Sequence, residues 1–163
     1  MVDANVLLAG ALWPRWPYEV LEHARRGDFQ LVLAPIIIEQ AKSRVAARFP
    51  TRVGSLDAAL QAIPHQLVPN PTSAHVAQNI GLVRDVTDIP IALAAISAKV
   101  DYLVSEDKDL TAHDETTATL RKRLKVMLSG TFLREVMGWT SEELERVRGR
   151  TWQDLQVPRS EAE

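Results

Sequence analysis

Apolar positions in this chain alternate between unbroken runs and helical stripes. Residues 1–9 (MVDANVLLA) are apolar apart from Asp3 and Asn5, and such a run predicts a buried strand of a parallel sheet. On a strand those two polar side chains share a face. LWPRWPYE then carries two Trp-Pro pairs and predicts a loop, with Pro17 suited to the first turn of a helix that Gly27 ends. Val20, Leu21 and Ala24 form its stripe. FQLVLA (29–34) predicts a second buried strand. Pro35 opens a helix to about Arg48, where Ile37, Ile38, Ala41 and Val45 keep helical spacing and Glu39 and Gln40 interrupt it.

The rest of the chain continues the alternation. SLDAALQAI (55–63) predicts a helix, the prolines at 64, 69 and 71 a connection, and residues 72–80 a further helix ended near Gly81. In TDIPIALAAI, Thr87 is an N-cap candidate and Asp88 a first-turn acid. The helix after them is apolar on nearly every side, which predicts burial. DYLVS (101–105) and RLKVML (123–128) predict two more strands. TFLREVMGW follows the turn at Gly130. Thr140 with Glu143 has capping-box spacing before a last helix, and VPRSEAE predicts a frayed tail. Strands alternating with helices predict an α/β fold, a three-layer α/β/α sandwich around a mostly parallel central sheet.

Composition narrows the chemistry. At 163 residues, 46% hydrophobic and 25% charged, the chain has the make-up of one globular domain. No apolar run reaches the ~20 residues of a membrane span, and no secretory signal pattern is visible, so a cytoplasmic protein without membrane contact is expected. The absence of cysteine excludes disulfides, thiolate catalysis and thiolate zinc sites. The net charge of −2 gives no global nucleic-acid signature. Two local basic runs, Lys42/Arg44/Arg48/Arg52 and Arg121/Lys122/Arg123/Lys125, read either as solvated helix faces or as flanks of a polyanion's path.

Against that background, four acidic positions stand out: Asp3, Glu39, Asp88, and Asp107 with Glu106 and Asp109 beside it. In parallel α/β sheets the loops at the carboxyl ends of strands build the site, which would bring Asp3 and Asp107 together. Each acid alone also has a plain structural reading, as a strand end, a solvated helix residue, a helix-start charge or an acidic turn. Two carboxylates about 4 Å apart repel by roughly 4 kcal/mol at an effective dielectric of about 20, so a cluster holds protons or a cation. All-oxygen donors favour Mg²⁺ or Mn²⁺, and such a site suits phosphodiester chemistry.

The order VDANV (2–6), LVLAPIIIEQ (31–40), DIPIALAA (88–95) and DYLVSEDKDL (101–110) resembles the PIN domain family, in particular its VapC-like toxin branch. The resemblance covers about residues 1–133 as a nuclease domain and leaves 134–163 as a C-terminal helical extension and tail, read equally as a dimer or antitoxin surface or as a packed terminal helix. It implies a Mg²⁺- or Mn²⁺-dependent endoribonuclease, a cognate antitoxin whose Arg or Lys enters the acidic cluster, and a homodimer. It implies Asp3, Asp88 and Asp107 as metal ligands, Asp109 as an accessory acid, Asn5 as a residue ordering the site, and Ser105 in place of the usual threonine. The family's glutamate position falls on Gln40, one residue past Glu39, and one residue on a helix is a turn of about 100°. Glu39 is kept as the fourth catalytic acid. A non-catalytic RNA- or protein-binding module is the alternative. A phospho-acceptor regulatory domain ranks below both, because Asp3-Ala4-Asn5 lacks an acidic pair.

Overall fold

The computed structural model describes residues 1–156. Its first element corrects the strand expected over residues 1–9. Only Val2 is extended, in a parallel bridge to Val104, and a helix follows at once, α1 (Ala4–Leu12). Asp3 caps it, its side chain accepting from the Val6 amide at 2.9 Å. An unbroken apolar run fits a buried strand or a buried helix equally well. Here the Ala/Leu content and a capping aspartate favour the helix. Ala4, Val6, Leu7, Leu8, Ala11 and Leu12 are all buried. Asp3 and Asn5 therefore share no strand face: one caps the helix and the other lies in its first turn.

The next elements follow the sequence closely. Helix α2 (Trp16–Arg25) carries Pro17 in its first turn, and Gly27 after it has φ +84°. Helix α1 crosses α2 so closely that a Cβ on Gly10 would sit 2.5 Å from Leu21 Cδ1 and 2.9 Å from the Pro17 carbonyl oxygen. Strand β1 (Leu31–Leu33) leads into α3 (Pro35–Arg48), whose residues Ile37, Ala41 and Val45 are buried. Helix α4 (Val53–Ala62) precedes β2 (His65–Leu67), a strand missed in the proline-marked connection; its positions are exposed or half-buried, as suits an edge strand between prolines. Helix α5 (Ser73–Gln78) is shorter than expected.

Before the central helix, α6 (Ile89–Ser97), the cap differs from expectation. Asp85, not Thr87, holds the turn: its Oδ1 accepts from the Thr87 amide at 2.9 Å and hydroxyl at 2.8 Å, closing a 3₁₀ turn at Val86–Asp88. Ile89, Ile91, Ala92, Leu93, Ala94 and Ala95 are buried, so α6 is apolar because protein surrounds it. Strand β3 (Leu103–Val104) follows, then two short helices in the threonine-rich loop, α7 (Lys108–Thr111) and α8 (Ala118–Arg121). Strand β4 (Val126–Met127) is two residues of the six expected, and α9 (Ser129–Glu135) begins directly after Leu128.

Helix α10 (Ser141–Val147) has the full capping box between Thr140 and Glu143, and α11 (Trp152–Gln156) is the last described element. This region packs back on the start of the chain. Trp16 Nε1 donates to the Leu144 carbonyl at 2.9 Å, Trp152 Nε1 to the Leu12 carbonyl at 2.9 Å, and Arg150 pairs with Glu19 at 2.5 Å. The expected frayed tail, residues 157–163, lies outside the described residues.

Pairing is parallel throughout the ladders: β1 with β2 in the register Leu31↔His65, and β3 with β4 in the register Leu103↔Val126. This is an α/β architecture, but the hydrogen bonds make two two-stranded sheets and do not join them into the one central sheet expected. Val2 lengthens the second: Asp3 N–H donates to the Val104 carbonyl, and Val104 N–H to the Met1 carbonyl. That bridge sets Asp3 beside the end of β3, where Ser105 begins the acidic loop. No helix among the described residues is long and apolar enough to cross a membrane.

Candidate active site

Three acids from distant parts of the sequence lie around the end of β3: Asp88 faces Asp107, and Asp3 reaches the Asp107 loop through Ser105. Asp3 is 3% exposed. One of its oxygens accepts from the Val6 amide and the other from the Ser105 hydroxyl in a short hydrogen bond. Ser105 is fully buried, and its Oγ in turn accepts from the Asp107 amide at 3.0 Å. A single hydroxyl thus ties the first acid to the loop that carries another. Asp107 caps α7, its Oδ1 accepting from the Asp109 amide at 2.9 Å. The S-E-D-K-D sequence places these side-chain-to-backbone bonds two residues apart, a local pattern that turns a loop without a sheet or helix to guide it.

Asp88 is the third acid and the least satisfied. It stands at the N-terminal boundary of α6 yet makes no capping hydrogen bond. It is 6% exposed, and its Oδ2 is buried without a partner among the described residues. Burial pushes its carboxyl up to about 7, with the facing Asp107, then Asp85 and Asp3, adding to the shift. Burial likewise raises Asp3 to about 6, against the opposing hydrogen bonds from Ser105 and Val6. Ionising both acids concentrates negative charge at the end of β3, and a cation or protons must balance it.

The remaining expected residues are placed differently. Asp109 is half-buried at the rim and engages Asp107 through its amide. Glu106 turns aside: its Oε1 accepts from the Ser129 amide at 3.0 Å at the start of α9, although its charge still acts on Asp3. Glu39 is exposed on α3. The next residue reaches toward Asp88, Gln40 Nε2 donating to the Thr87 carbonyl at 3.3 Å. Asn5 makes no side-chain hydrogen bond with a carboxylate among the described residues; its Oδ1 accepts from Arg44 Nη1 at 2.8 Å. Arg44 and Asp85 were not singled out as site residues from the sequence. The signals were present, in the i, i+4 spacing of Gln40 and Arg44 on one helix face and in the Asp-x-Thr turn pattern at 85–87.

Among the described residues, no group of three or more His, Asp or Glu side chains is gathered closely enough to enclose a metal ion. Asp88 and Asp107 face each other, and Asp3 reaches the Asp107 loop through Ser105. The donors still fit a hard divalent cation: oxygen only, two facing carboxylates, and one buried oxygen with no other partner. Comparison with curated proteins and with solved structures gave no match. A protein-family model described as PIN domain matches residues 1–109, from the capping aspartate of α1 to the acidic loop after β3. That match spans most of the chain and all three converging acids, and the chain belongs to the PIN domain family.

Proposed function

We propose that this protein is a Mg²⁺- or Mn²⁺-dependent endoribonuclease acting at the Asp3/Asp88/Asp107 pocket, and the toxin of a VapBC-type toxin–antitoxin pair. PIN domains are commonly nucleases, often metal-dependent ribonucleases. The observation that carries the reading is Asp88, an acid at a helix start that caps nothing, keeps a buried oxygen without a partner, and faces a second carboxylate. A group kept at such a cost to stability has a task outside the fold.

Asp88 and Asp107 would hold the ion, with Asp3 behind them and Asp109 as an accessory acid. A divalent cation there supplies Lewis acidity toward a phosphodiester. The chain's own part is positioning. Ser105 fixes the Asp3 carboxylate and the Asp107 backbone with one hydroxyl. Asp85 fixes the turn that delivers Asp88. Burial raises the Asp88 carboxyl to about 7 in the metal-free protein, so release of its proton would accompany binding of the cation. A pocket of this charge also suits closure by an Arg or Lys from an antitoxin, and a homodimer is the assembly proposed with it.

A non-catalytic binding module is the second reading. The outward Glu39 and the absence of a three-acid cluster among the described residues favour it. Incubation of a structured RNA with Mn²⁺ separates the two. Cleavage by the wild type, lost by at least a hundredfold in Asp3→Asn and Asp88→Asn but kept within about threefold in Glu39→Gln, supports the enzyme. RNA binding without cleavage, unchanged in the Asp variants, supports the module.

A further inference from the structure

Beside the acids lies one cation that the fold holds in place without neutralising it. Arg44, half-buried on α3, donates from Nη1 to Asn5 Oδ1 at 2.8 Å and from Nη2 to Gln40 Oε1 at 3.4 Å. Both acceptors are neutral amides. Arg44 makes no ion pair among the described residues. The carboxyl of Asp85 is held below the usual range chiefly by the Thr87 amide and hydroxyl, with Arg44 adding a smaller pull. Asp85 itself is spent on the Thr87 amide and hydroxyl. A guanidinium has five N–H donors, so three remain free in a planar fork suited to a phosphate. Gln40 links the arrangement to the acids through the Thr87 carbonyl, one residue before Asp88.

Placing a full positive charge among neutral amides, with donors left over, is a poor way to stabilise a helix. It is a good way to present a cation to an anion that arrives. Arg48 lies four residues on, on the same face of α3, about 6 Å along the axis, and is exposed. Building on the ribonuclease reading, we infer that Arg44 is a phosphate-positioning residue for single-stranded RNA, and that the Arg44–Arg48 row carries the strand's backbone into the acidic pocket. A strand held there has its phosphates on α3 and its scissile bond at Asp88 and Asp107. The fold supplies attraction beside a pocket that would otherwise repel its own substrate. Asn5 and Gln40 act on RNA through Arg44, by fixing the plane of its guanidinium.

The test is metal-free binding of a fluorescein-labelled single-stranded RNA in EDTA, read by anisotropy over a range of salt. Each lost phosphate contact makes the slope of log K against log salt shallower by about 0.7 for a single strand. Arg44→Ala is expected to show that change and Arg44→Ala/Arg48→Ala about twice it, with the gap from wild type closing as salt rises. Arg44→Lys keeps the slope, because the charge remains, which separates charge from helix integrity. Arg25→Ala, which removes a guanidinium already bidentate on Glu22, leaves the slope unchanged. An unaltered slope in Arg44→Ala, or no measurable RNA binding by the wild type at low salt, overturns the inference. Wild-type cleavage with Mn²⁺ is scored separately. Cleavage with an unaltered slope sinks Arg44 alone, and an altered slope without cleavage sinks the enzyme alone.

Discussion

Asp88 and Asp3 are costly residues for the metal-free protein, and pH exposes the cost. Burial raises their folded carboxyls to about 7 and about 6, above the ordinary aspartate value of 3.8. Groups raised in the folded state contribute stability below about pH 4, and that contribution is lost as pH rises through 6 to 7. The buried Met1 amino group, lowered to about 5, works the opposite way, but alike in wild type and in Asp88→Asn. The two are therefore expected to diverge in thermal stability between pH 5 and pH 8. Asp88→Asn gains melting temperature relative to wild type at pH 8, although it abolishes the proposed activity. Added Mn²⁺ raises the melting temperature more at pH 8 than at pH 5, where protons compete for the same oxygens. Differential scanning fluorimetry at the two pH values measures all three effects. A difference in melting temperature between metal-free wild type and Asp88→Asn that stays constant from pH 5 to pH 8 would contradict the shifted Asp88 carboxyl. At this scale the sequence was partly legible. The identities of Asp3, Asp88, Asp107 and Ser105 stood out by type and order. Which of Glu39 and Gln40 faces the pocket did not, because it turns on one step of helix rotation that packing of Ile37, Ala41 and Val45 decides.

At the scale of elements, α1 is the instructive case. Its residues were read as strand because a buried helix and a buried strand share an unbroken apolar run. The discriminating residue was Asp3, whose side chain closes on Val6 and starts a helix that a strand could not accommodate. The helix gives the aspartate two tasks at once, a cap and a site acid. Gly10 holds α1 against α2 at a distance that leaves no room for a methyl group, with Leu21 and the Pro17 carbonyl in the way. Gly10→Ala improves helix propensity by about 1 kcal/mol and forces the crossing apart, at a cost of about 1 to 3 kcal/mol. Net destabilisation in urea unfolding is the expected result; a stabilised variant would show that the two helices are free to separate. Short strands were poorly legible for a related reason. Strands β3 and β4 are two residues each, so their identity rests on partners more than 20 residues away in sequence and not on their own pattern.

The whole molecule adds closure. Residues 134–163 were open between a partner surface and a packed terminal helix. Of these, residues 140–156 fold back on the junction of α1 and α2, through Trp16, Trp152 and Arg150. Arg150 is the sharpest of these contacts, since it reaches the Pro14 carbonyl at 2.6 Å and the Glu19 carboxylate, with side chains only 15% and 13% exposed. Arg150→Ala leaves Glu19 largely buried and unpaired and is expected to cost about 2 kcal/mol, read as a lower urea midpoint with an unchanged slope. A variant as stable as wild type would mean that the Arg150 contacts contribute little to holding the N-terminal helices. Because α1 carries Asp3 at its start and the C-terminal contacts at its end, this packing supports the site from the far end of one helix.

By itself, the sequence determined the alternation of helices and parallel strands, the burial of α6, the capping box at Thr140 and the set of acids from which a site could be built. Those are properties of local pattern and residue type, which neighbouring positions express without help. The tertiary structure alone decided which acids meet. Asp3 reaches Ser105 across 102 positions because Val2 pairs with Val104, and no local pattern records that pairing. It also decided that Glu39 faces solvent, that Glu106 caps α9, and that Arg44 stands uncompensated beside the pocket. Each of these depends on the rotation of a helix or loop about its own axis, and contacts with the rest of the protein set that rotation.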